Sequence, residues 1–98
     1  MKLIFDPMAE KFIKSLSDKD VAKVLEYIDL FEDYGFGLDQ RYLKKVKGSI
    51  WELRPKRIRL FIFKGTKKHI IIHVNYKKTQ KIARKDLKII DARIKQYR

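Results

Sequence analysis

The hydrophobic pattern of this chain changes period part-way along, and that change restricts the fold more than any other feature. Before residue 35 the apolar residues recur at helical spacing: Met8, Phe12, Ile13 and Leu16, then Val21, Val24, Leu25, Ile28 and Phe31. The segments 50–54, 57–63 and 69–76 are instead rich in β-branched and aromatic residues, with polar residues alternating in the first two. A stripe with a period of 3.6 cannot serve as a strand, nor an alternating one as a helix, so the chain predicts helices first and a sheet second, an α+β class. With 98 residues and no cysteine, it is expected to form one domain over 1–98, held by packed apolar side chains without disulfides or thiolate metal sites.

Local signals sharpen this order. The run Leu3-Ile4-Phe5 leads into Asp6-Pro7, an N-cap followed by proline at the first helical position, so a strand passes into a helix. Ser17 with Asp20 three residues on begins a longer helix, which Gly35 is expected to end in a left-handed cap. Residues 36–48 read as irregular. The three β segments, bounded by Pro55-Lys56 and by Lys64-Gly65-Thr66, predict an antiparallel meander. From Arg84 onward Leu87, Ile90, Ile94 and Tyr97 predict a basic closing helix, giving β-α-α-β-β-β-α, with the helices on one sheet face and the other partly open.

A two-residue Pro55-Lys56 connection would set Arg54 opposite Arg57 and Glu52 opposite Arg59, all on one face. Trp51, Leu53, Ile58, Leu60 and Ile62 would then face the core, which favours packing over base stacking for Trp51. Phe61 and Phe63 share the arginine face and are the better stacking candidates, with packing against the last helix as their alternative.

Charge is strongly segregated. Residues 1–40 hold five lysines and nine acidic residues, a net of −4, whereas 41–98 hold 20 basic residues and three acidic ones, a net of +17. Such polarity points to an anionic partner, and nucleic acid is the commonest polyanion. The sequence has no run of about 18 apolar residues and no leader-like start, so a cytoplasmic protein with no membrane partner is expected.

RNA can be cut without metal by deprotonating a 2′-hydroxyl, neutralising the pentavalent phosphate and protonating the leaving 5′-oxygen. Only Glu52, Asp86 and Asp91 are acidic in the basic half, too few for a two-metal site. For proton transfer the sequence offers His69, His73, Tyr76, Tyr97, Glu52 and lysines. His69 and His73 are four apart on one strand and so expected on one face. Without a third orienting group a structural or surface role is favoured over catalysis for each. The crowd Lys77-Lys78-x-x-Lys81 suits either a base of depressed pKa or a solvated turn.

Two blocks carry a resemblance. Lys44-Lys45-Val46-Lys47-Gly48-Ser49-Ile50-Trp51-Glu52-Leu53-Arg54, followed by Arg57-Ile58-Arg59-Leu60-Phe61, resembles the "LKKL-G-x-WELR … xRxFY" pattern of the phage-derived RelE-like toxins that include HigB. His73-Val74-Asn75-Tyr76-Lys77-Lys78-Thr79-Gln80-Lys81 is similar to their "HGFxKKTQKTP" segment, although Ile82-Ala83 replaces Thr-Pro. The resemblance implies the RelE/ParE-like fold and the toxin of a type II toxin–antitoxin system. That toxin would be an mRNA endonuclease acting in the ribosomal A site without metal or cofactor. The implied partners are a cognate antitoxin of the helix-turn-helix repressor type, mRNA, and the ribosome with its 16S rRNA.

By the same resemblance, Arg54 and Arg59 would neutralise the scissile phosphate, with Lys77, Lys78 and Lys81 activating the 2′-hydroxyl. Lys44, Lys45, Arg57, Gln80, His73 and Tyr97 would hold RNA, Tyr97 standing for the tyrosine that some members carry near the C-terminus. Two alternatives share the sequence features: a gyrase-binding toxin of the ParE type, and an RNA-binding module without chemistry.

Overall fold

The computed structural model describes residues 2–98, with elements β1 Leu3–Phe5, α1 Pro7–Lys14, α2 Asp18–Tyr34, β2 Leu43–Lys47, β3 Ile50–Leu53, β4 Ile58–Lys64, β5 His69–Tyr76 and α3 Arg84–Ile94. The helix starts follow their caps. Asp6 accepts from the Met8 amide at 2.9 Å with Pro7 behind it, and Ser17 Oγ accepts from the Asp20 amide at 3.2 Å. Gly35, at φ 61°, ends α2 by donating to the Phe31 carbonyl, a conformation that a side chain would disfavour.

The sheet has five strands in the order β1-β5-β4-β3-β2. It is mixed, not a pure meander, because β1 pairs in parallel with β5. The strand β2 lies inside the segment expected to be irregular. Its sequence Leu-Lys-Lys-Val-Lys lacks clean alternation because a register break falls between Lys45 and Lys47. As an edge strand it carries lysines, which discourage pairing with other chains.

The β3–β4 register differs from expectation by two residues. Glu52 pairs with Phe61 and Leu53 with Leu60, so Arg54 stands across from Arg59 in the extended register, and residues 54–57 form the connection. Pro55 has no amide to continue the ladder, Lys56 turns the chain at φ 54°, and the Ile58 amide closes the turn onto the Pro55 carbonyl at 3.0 Å. A slip of two preserves every side chain's face.

A bulge in β5 corrects a second expectation. Phe61 pairs with His73 and Ile62 with Ile71, which leaves Ile72 as an extra residue. Alternation therefore inverts between 71 and 73, and the two histidines face opposite ways. His69 meets Phe31 and Phe36, while His73 lies on Phe61.

Both faces are covered. Leu3, Ile13, Val24, Ile28, Phe31, Leu53, Leu60 and Ile62 are among the residues of the core beneath α1 and α2. Ile90 and Ile94 of α3 close the opposite face over Ile50, Phe61, Phe63, Ile70 and Ile72. The face expected to lie partly open is thus a second core, and Phe61 and Phe63 are packed there, unavailable for stacking. Trp51 packs at the margin of the first core. Truncating a wholly buried ring such as Phe61 to alanine would cost about 3–5 kcal/mol. Among the described residues no helix is long and apolar enough to cross a membrane.

Candidate nucleic-acid interface

Residues paired across neighbouring strands share a face. On the α3 face, one row therefore runs Lys44, Glu52, Phe61 and His73, and the next contains Arg59 and Asn75, with Arg54 just past the end of β3. Glu52 is the hub. Its Oε2 lies 2.7 Å from Arg59 Nε and its Oε1 lies 3.6 Å from Arg54 Nε. The Arg59 contact is a close ion pair whose N–H axis is not aimed at the oxygen.

Arg59 is 3% exposed and also donates to the backbone of the lysine turn: to Lys81 O at 3.4 Å, to Gln80 O at 3.1 Å and to Thr79 O. Residues 77–83 belong to no helix or strand, so these bonds, with Thr79 Oγ1 to Lys81 O at 2.8 Å, give the turn its shape. Arg59, expected to grip phosphate itself, has both terminal nitrogens donating to the turn and its Nε against Glu52. Arg54 is different. Its side chain keeps 26% exposure, and its terminal nitrogens have no partner among the described residues. Lys78, Gln80 and Lys81 are exposed, Lys77 is half-buried, and Lys44 is exposed beside Glu52. Arg54 and the turn are thus brought together through Glu52 and Arg59.

Two expected RNA-binding residues, His73 and the half-buried Tyr97, have their polar atoms engaged by partners within the fold. His73 is buried, with Nδ1 3.2 Å from Arg93 and Nε2 2.8 Å from Asp86 Oδ1. Arginine only donates, so Nδ1 accepts, the proton sits on Nε2, and the neutral ring donates to Asp86. Burial, reinforced by Arg93, holds the His73 pKa below its ordinary value against the pull of Asp86. Burial raises Asp86, but hydrogen bonds from His73 and Asn75 outweigh it and hold that carboxyl low. Arg93 also caps the Ile72 carbonyl at 3.0 Å, where the bulge leaves it. Tyr97 donates to Asp6 at 2.7 Å, pinning the chain end to the α1 cap, and burial followed by that bond pushes its phenol up to about 12.

The remaining two part company with the centre. Lys45 lies on the opposite face, 6.0 Å from the Trp51 ring. Arg57 pairs with Asp20 at 2.9 Å and sits over Tyr76, at the mouth of a cavity of about 880 Å³ between α2 and the β3–β4 connection.

Residues 11–95 match the family model described as phage derived protein Gp49-like (DUF891). The chain belongs to this Gp49-like family. No curated protein matches it at a significant level. A crystal structure of the RelB-RelE antitoxin-toxin complex from Methanococcus jannaschii contains a chain similar to it with a TM-score of 0.61 and 17% identity, over 74% of this chain and 88% of that one. At that identity the likeness shows a RelE-like fold.

Within this Gp49-like chain, sequence reasoning left Asn75, Asp86 and Arg93 out of the site and gave Glu52 as a titratable group facing Arg59, not as the hub of the site. Two signals were available for Glu52. It is the one acidic residue between 40 and 85, and it alternates in phase with Arg54 and Arg59. Asp86 and Arg93 gave no comparable signal, since their contacts depend on how α3 crosses the sheet.

Proposed function

We propose that this Gp49-like protein is the toxin of a toxin–antitoxin pair and cuts mRNA in the ribosomal A site without metal. Arg54 meets the charge that develops on the scissile phosphate. Lys77, Lys78 and Lys81 approach the same phosphate and the 2′-hydroxyl from the turn, and Lys44 and Gln80 hold the strand. Arg59 and Glu52 fix the distance between Arg54 and the turn. A preorganised cation beside a developing oxyanion is worth about 10²–10³ in rate.

The observation that carries this reading is the coupling of Arg54 to the lysine turn through one buried Glu52–Arg59 pair. Unaligned surface cations would need no such support. The RelE-like fold adds to it, as does the solved neighbour, a toxin described in complex with its antitoxin. A cognate antitoxin, of the repressor type that carries a helix-turn-helix, is the matching partner.

Primer extension on mRNA from cells expressing the chain tests the proposal. Cuts inside translated codons that vanish with Arg54→Ala support it. Intact messages with altered DNA supercoiling would instead indicate a gyrase-directed toxin, and RNA bound with steep salt dependence but left whole would indicate binding alone.

A further inference from the structure

The cavity beside Arg57 shares only Lys77 with the centre described above, and its walls are charged almost entirely with one sign. Lys19 and Lys23 reach it from α2, Lys56 and Arg57 from the β3–β4 connection, and Lys77 from the end of β5. Asp20 is the one carboxylate in the lining, and Arg57 already holds it at 2.9 Å. Discounting that pair leaves four lysines from three separate segments around one concavity; Glu26 pairs with Lys23 at 3.1 Å from outside the lining, and Lys19, Lys56 and Lys77 have no carboxylate partner among the described residues. Cations gathered in this way repel one another, and the arrangement is relieved by an anion entering between them.

We propose that this cavity is a second phosphate site for single-stranded RNA, taking a phosphodiester outside the scissile one. The inference rests on the RNA reading of the Arg54 centre and extends the strand's path. Lys77 links the two places. Its amide donates to the Arg57 carbonyl at 2.6 Å, and it begins the turn whose far end Arg59 holds. A strand leaving Arg54 therefore passes Lys77 at the end of the sheet before reaching Lys19, Lys23 and Lys56. Tyr76, 41% exposed with Arg57 over its ring, stands beside that path. A compact, repeating charge suits a site built from lysine ammonium groups, which bind as point charges. Continuity with the Arg54 centre favours RNA over an acidic peptide.

Fluorescence polarisation with labelled, uncleavable 2′-O-methyl oligonucleotides tests this. The double variant Lys19→Gln/Lys23→Gln is compared with a charge-matched control, Lys67→Gln/Lys68→Gln, at the opposite end of β4 and β5. The wild type should bind a hexanucleotide more tightly than a dinucleotide. The cavity variant should lose most of that advantage, with about tenfold weaker hexanucleotide binding and a salt slope shallower by about 0.7 for each phosphate no longer neutralised. The control should change far less. Equal losses in the two variants, or an unchanged salt slope, overturn the site, as does a hepta-glutamate peptide that binds as tightly as the hexanucleotide. If the cavity variant behaves as expected but wild-type protein cuts no message, the site stands and the nuclease reading falls. If the wild type binds no RNA, both fall.

Discussion

Arg59 and Glu52 meet 2.7 Å apart on the α3 face of the sheet, and each is almost wholly withdrawn from water. The pair joins two strands to the turn at 79–81, because the same guanidinium donates to three carbonyls there. Removing one member of a buried pair strands the other's charge, at a cost of about 3–5 kcal/mol. Arg59→Ala and Glu52→Ala should each lower unfolding stability by about that amount in urea titrations. Arg59→Ala should also expose the Lys77–Lys81 turn to trypsin under native conditions, well before the rest of the chain is cut.

Stability should fall as the solution is acidified through the histidine range. His69 and His73 both have pKa values held below 6.5, chiefly by burial, so the unfolded chain takes up protons before the folded one. The unfolded state then binds more protons below about pH 6.5, and linkage makes stability fall as pH decreases from there. Urea midpoints measured between pH 8 and pH 5 should show this decline. His73→Gln should flatten part of it.

Tyr97→Phe should separate packing from RNA contact. The phenol donates to Asp6, which is buried and caps α1. Losing that bond should cost about 1–2 kcal/mol, read as a lower thermal midpoint. Cleavage by the folded variant should match the wild type, whereas a large loss of activity would return Tyr97 to the RNA site.

The caps at Asp6, Ser17 and Gly35 and the face of each residue in β3 and β4 were legible in the sequence because each depends on neighbours a few residues away. The register was not. It turned on whether Pro55 and Lys56 formed the whole β3–β4 connection, and the left-handed Lys56 is a residue type that gives no warning of positive φ. The strand β2 was hidden by its lysines and its register break. The bulge at Ile72 sent His73 to the side opposite His69, a change that strict alternation cannot anticipate. Arg54, Arg59 and the 77–81 turn were recognisable as members of a basic site. That Arg59 supports the turn from within became visible only when the chain was folded, because its partners are backbone carbonyls about 20 residues away.

The central claim is that Arg54 stabilises a phosphate attacked by its own 2′-hydroxyl. The direct measurement is single-turnover cleavage of a message in the A site of programmed ribosomes, using an all-ribose message and one with a single 2′-deoxy residue at the cut. The wild type should cut the ribose message to leave a 2′,3′-cyclic phosphate and a 5′-hydroxyl, and leave the deoxy message intact. Arg54→Ala should slow the ribose reaction at least about a hundredfold. Cleavage of the deoxy message, or an Arg54→Ala rate equal to that of the wild type, would contradict the account.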